Sequence, residues 1–145
     1  MIPMNKKGLR YDGHGFPVLL RNVEVRLVMG EEQPVINHLE LEAKAFETLM
    51  LSTNRLTGAQ LCFVRGHMKK TQREFAKMLG LSGHGRVSQW ESQKNAAAIK
   101  NPAQELIVRM YMAQHINQID HIAVNFESFL TKLQPAVAKM VIDAA

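Results

Sequence analysis

The chain has 145 residues, 46% of them hydrophobic, a formal charge of +5 and one cysteine. That length holds one compact domain, or a small domain with an appendage, and the apolar share supplies a core. Cys62 alone excludes an internal disulfide framework and a cysteine-based zinc site, and no apolar run approaches the roughly 20 residues of a membrane span. The opening stretch, MIPMNKKGLRYDG, has two lysines but no apolar segment after them. No secretory leader is expected, and cytoplasmic residence is.

Placement of charge says more than its total. Residues 55–100 hold nine Lys and Arg against two acids, Glu74 and Glu91, a net of +7. Residues 1–54 and 101–145 each net −1. A positive field concentrated in the middle third suits a polyanionic partner, although a solvated basic face without a partner has the same composition.

Residues 9–28 read as extended. Gly13-His14-Gly15 separates two short apolar runs, a hairpin signal, and NVEVRLV then alternates with the period of a half-buried strand. MGEEQP reads as a break. Asn37, with Glu40 three positions on, opens like a capping box, predicting a helix over about 38–52. The first third is therefore expected to be a small antiparallel sheet with one helix.

The middle is expected to be helical. Thr57 can cap a helix over about 58–67 with Leu61, Val64 and Met68 on one face. Thr71 caps the next, about 72–79, with Phe75, Ala76 and Leu79 inward, and Gly80 ends it. A third, about 85–93, turns Val87 and Trp90 inward. Asn101 and Pro102 open a fourth over about 103–114, since proline is tolerated in a first turn. Ile119, Ile122, Phe126, Phe129 and Leu133 then form a heptad-like stripe, spacing that serves either core packing or a dimer seam. Pro135 interrupts it, and AVAKMVIDAA reads as a last helical turn or two. The organisation expected is 1–54, a small α+β domain for dimerisation or partner binding; 55–116, the helical domain; and 117–145, a helical extension.

Two short helices joined by a glycine-containing turn, with small Ala76 in the first and apolar anchors in the second, describe a helix-turn-helix. Outward from its second helix would point His84, Arg86, Gln89 and Gln93. Arg can fork to guanine and Gln to adenine, each good pair contributing ~1–3 kcal/mol of discrimination. The amides and dipole at a helix start favour phosphate. Gln72, Arg65, Lys69, Lys70, Lys94 and Asn95 surround this helix and are the candidates for holding the sugar-phosphate backbone.

Residues 56–112 resemble the Xre (Cro/CI phage-repressor-like) DNA-binding domains. Thr71-Gln72, Phe75-Ala76, Leu79-Gly80-Leu81-Ser82 and Val87-Ser88-Gln89-Trp90-Glu91 carry the resemblance, which covers a bit over a third of the chain. It implies a five-helix domain with its third helix in the major groove, phosphate contact by Gln72, and base contact by His84, Gly85 and Gln89. Arg86 fills a position that touches backbone or base in that family. LSGHGRVSQWE has one residue more before Val87 than most members, which lengthens the turn or shifts the helix start.

The segment before residue 56 looks like the MqsA (YgiT)-type antitoxins, in which a zinc domain precedes a dimeric Xre domain. The family's cysteines are replaced here, by Arg26 and by Met29 of Met29-Gly30-Glu31, and the region offers only His14 and His38. A structural zinc needs about four ligands, so no metal or other cofactor is expected. The six histidines show no i, i+4 pairing and read as scattered. Cys62 reads as a small buried hydrophobe, with a redox-sensing thiol beside Arg65 as the alternative. Nine methionines read as core filler. Nothing resembles a nucleophile elbow, a P-loop or an acid/base pair, so no enzyme is expected. The expected function is a sequence-specific, homodimeric regulator of double-stranded DNA, most simply a repressor. The alternative is an antitoxin that masks a toxin and represses its own operon.

Overall fold

The computed structural model describes residues 4–6, 8–117 and 134–144. The fold is α+β, built as two compact units: Met1–Thr48 with Lys139–Ala145, and Leu49–Ala138. Among the described residues no helix is long and apolar enough to cross a membrane.

Two three-stranded sheets and most of one helix make the first unit. β1 (Met4–Lys6), β4 (Val23–Val28) and β5 (Glu31–Pro34) form one sheet in the order β1-β4-β5, antiparallel throughout. β2 (Leu9–Tyr11), β3 (Val18–Arg21) and β6 (Met140–Asp143) form the other, in the order β2-β3-β6. The expected hairpin is β2–β3, registered Leu9↔Leu20 and Tyr11↔Val18. Alternation puts Val18, Leu20, Val23 and Val25 into the core, while Glu24 and Arg26 face out. Helix α1 (His38–Leu51) begins at Asn37, whose Oδ1 accepts from the Leu39 and Glu40 amides at 2.9 and 3.2 Å. Leu41, Ala45 and Phe46 are its buried stripe.

Two readings need correction. MGEEQP is not a plain break: Met29 and Gly30 make a two-residue turn, both at positive φ (52° and 83°), and Glu31–Pro34 pairs back on β4. Such a turn matches the twist of the flanking strands, and the free edge of β4 recruits residues of poor strand propensity. Pro34 is tolerated because β5 is an edge strand. Nor is the chain end helical. Met140–Asp143 forms β6, parallel to β3 in the register Val18↔Met140 to Arg21↔Asp143, with Met140 and Ile142 buried and Val141 and Asp143 exposed. The 119–133 stripe lies outside the described residues.

The second unit is helical. α2 (Gly58–His67), α3 (Gln72–Met78), α4 (Gly85–Glu91) and α5 (Pro102–His115) follow α1's last turn. The described residues 58–115 thus contain four helices against the five that the Xre resemblance implies. Thr57 and Thr71 each close a reciprocal capping box, with Gln60 and Glu74 respectively, and the Asn101 side chain accepts from the Ala103 amide. Gly80 (φ 73°) ends α3, its amide reaching the Lys77 carbonyl while Leu81 reaches that of Ala76. These are the two bonds of a Schellman stop. α2 stops the same way but with Lys69 at φ 58°, a conformation that costs a side chain about 1–2 kcal/mol.

A buried ionic cluster fixes the approach to α2. Arg109, wholly buried, donates to the carbonyls of Leu49 (2.6 Å), Met50 (3.1 Å) and Ser52 (2.6 Å), and lies 3.5 Å from Glu105 Oε2. Buried Glu105 accepts from the Leu56 amide at 2.9 Å and pairs with Arg55, which donates to the Ile99 carbonyl. Burial pushes the Arg109 guanidinium down from its ordinary value, against the pull of the Glu105 carboxylate. Removing one partner of such a cluster costs about 3–5 kcal/mol, because it strands the other charge.

Candidate nucleic-acid interface

α3 and α4 are joined by the turn Leu79–His84, and Gly85 is the first residue of α4. α4 spans seven residues and divides sharply: Val87 is fully buried and Trp90 is 7% exposed, while Gly85, Arg86, Ser88 and Gln89 are exposed. It ends at Glu91, two residues earlier than the pattern suggested. His84 stands at its N-cap, exposed, with no side-chain cap bond.

Three neighbours position this pair of helices. From α2, Arg65 donates Nε to Glu91 Oε2 at 2.7 Å and an NH2 nitrogen to Oε1 at 2.9 Å, and its remaining nitrogen to the Lys70 carbonyl at 2.9 Å. Also from α2, Gly58 lies so close to α4 that a Cβ would stand 2.6 Å from the Trp90 carbonyl oxygen. From α5, Tyr111 donates to the Met78 carbonyl at 2.9 Å, fixing the end of α3.

The ten residues read as DNA contacts fall into two groups. His84, Gly85, Arg86, Gln89, Lys69, Lys94 and Asn95 are exposed, and Lys70 is half-buried. Arg65 and Gln72 are half-buried and bonded within the chain. Arg65 is held in the Glu91 clasp, where it orients α4. Gln72 opens α3, half-buried, with Nε2 3.4 Å from Glu91 Oε1. Burial works to raise the Glu91 carboxyl, but hydrogen bonds from Arg65 and Cys62 outweigh it and hold the carboxyl below the usual range.

Neither Glu91 nor Gly58 stands out in the sequence, because what makes them matter is 26 residues away for one and more than 30 for the other. The available signal was chemical: Glu91 follows Trp90 directly, and a carboxylate there needs a cation. Both acids of residues 55–100 are internally occupied, Glu91 by Arg65 and Glu74 by the Thr71 amide. Arg73, Lys77, Arg86, Lys94 and Lys100 stay exposed, so the segment keeps its net positive field.

Cys62 is exposed rather than buried, 3.8 Å from an Arg65 nitrogen. Partial burial and the Glu91 carboxylate raise its pKa despite Arg65, the opposite of a reactive thiolate. The histidines are less scattered than spacing implied. His67 and His115 meet edge-on at 5.5 Å between ring centroids, and Tyr11 gathers His14 and His38 at 5.2 and 6.3 Å. Among the described residues no three His, Cys, Asp or Glu side chains converge as a metal site.

Compared with known proteins, the chain matches no family model, no curated protein and no solved structure.

Proposed function

We propose that the chain is a sequence-specific regulator of double-stranded DNA, a repressor that binds an inverted repeat as a homodimer with α4 in the major groove. The carrying observation is the division of α4. Val87 and Trp90 are buried, each burial contributing about 1.5–3 kcal/mol or more, while Arg86, Ser88 and Gln89 on the same seven residues stay in water. Arg86 and Gln89 carry the forked donors and acceptors that read base edges, and the exposed lysines supply sequence-independent affinity. The Arg65–Glu91 clasp gives the reading helix a fixed pose, as geometric readout requires. Half-sites about one helical turn apart (~34 Å) are expected, with repression by occlusion of a promoter.

Selection of bound duplexes from random DNA tests the reading, and a palindromic consensus is the expected result. Gln89→Ala should then weaken binding to that consensus by about 5- to 100-fold while leaving random duplex nearly unchanged. A paired Lys69→Ala, Lys70→Ala variant should weaken both and flatten the salt dependence. Equal losses from Gln89→Ala on specific and random duplex would overturn the base-reading role, and failure to hold any duplex at low ionic strength would overturn the whole proposal.

A further inference from the structure

Beside α4 lies a groove of about 430 Å3 that the residues above do not explain. One wall is the exposed face of α4, with Arg86, Gln89 and the following Gln93. The other is the start of α5, with Lys100, Asn101 and Gln104, and Trp90 and Ala98 complete the lining. Its lining holds two cations and four carboxamides but no carboxylate. Both cations are exposed, and Asn101 is occupied in capping α5 through the Ala103 amide.

That combination fits one ligand chemistry. Guanidinium and ammonium groups take an anion, carboxamides pair with sugar hydroxyls and base edges, and an indole with a methyl takes a flat apolar surface. A purely apolar ligand leaves the cations and carboxamides unused.

We propose that the groove between α4 and α5 binds a phosphate-bearing nucleotide unit, its anion on Lys100 and its polar edges on Gln93 and Gln104, beside the base-reading Arg86. The unit comes either from a strand of bound duplex or from a free nucleotide. In the first case the inference rests on the DNA reading above and widens its footprint to α5. In the second, a free nucleotide lying against Arg86 would compete with duplex.

Trp90 is the chain's one tryptophan and lines the groove, so its emission is an internal probe. The full chain is titrated with random duplex, with nucleoside monophosphates and with inorganic phosphate, for the parent and for Lys100→Ala, Gln104→Ala and Lys100→Arg. The expected result is a saturable change in Trp90 emission. Lys100→Ala should weaken it about threefold or more and cut the salt slope on duplex by about 0.9, with recovery in Lys100→Arg. If duplex alone gives this pattern, the groove holds a DNA phosphodiester; if mononucleotide gives it, the groove is a free-nucleotide site, whether or not duplex binds. If Gln89→Ala impairs duplex binding while Lys100→Ala and Gln104→Ala bind every ligand as the parent does, the groove proposal falls and the DNA reading stands. No response to any of the three ligands overturns the groove proposal outright.

Discussion

Gly58 opens α2 against the end of α4, where a Cβ would stand 2.6 Å from the Trp90 oxygen, 2.7 Å from the Lys94 nitrogen and 2.8 Å from the Glu91 oxygen. All three are backbone atoms, so no rotamer change relieves the overlap. Gly58→Ala should destabilise the second unit by about 1–3 kcal/mol, read as a lower urea midpoint at unchanged slope. An unchanged midpoint would mean that the two helix ends separate freely. Nothing near Gly58 in the sequence announces this, because a glycine at a first helical position reads only as tolerated. Arg65 teaches the same lesson in reverse. Its charge and position on a basic segment made it a phosphate candidate, and only the fold brings Glu91 within 2.7 Å to claim it. Arg86 and Gln89 were readable because their exposure follows from two local anchors, Val87 and Trp90, at helical spacing.

At the level of elements, what was legible is what is local. Thr57, Thr71, Asn101 and Gly80 each act within a few residues of themselves, and helices α2, α3 and α5 start or stop where they dictate. β5 and β6 were not legible, because their hydrogen-bonding partners, β4 and β3, decide them. The meeting of α2 and α5 was hidden likewise: His67 and His115 each sit in a last turn, 48 positions apart, with ring centroids 5.5 Å apart. Burial first, then the charges of His67 and Lys70, push the His115 pKa below its ordinary value of 6.5. The folded chain therefore favours the neutral imidazole. Its contribution to stability is complete above pH 6.5 and is lost as the pH falls through that value toward the depressed one. Urea midpoints compared at about pH 7.5 and about pH 5.5 should fall further for the parent than for His115→Gln. Parallel falls in the two proteins would show that His115 is not linked to folding.

At the level of the whole chain, the first unit is discontinuous: the backbone leaves it after Thr48 and re-enters at Lys139. β6 is what the return delivers. It covers the β3 edge through four paired residues and buries Met140 and Ile142. The Asp143 carboxylate accepts from Asn22 Nδ2 at 3.3 Å, and its carbonyl accepts from Lys44 Nζ at 2.9 Å. Deleting residues 139–145 removes all of these at once and leaves β3 paired on one side only, in a sheet reduced to a two-stranded hairpin, which is marginal in water. None of the capping, clasp or ionic contacts described for the second unit involves the deleted residues. Amide hydrogen exchange on the truncated chain should therefore lose protection in β2 and β3 by about tenfold or more, while α2 and α5 keep theirs. Duplex binding, which the proposed function assigns to α4, should survive if dimerisation does not require the first unit, so the exchange and binding measurements together separate a folding role for β6 from an assembly role. Undiminished protection in β2 and β3 would show that the parallel pairing with β6 contributes nothing to that sheet.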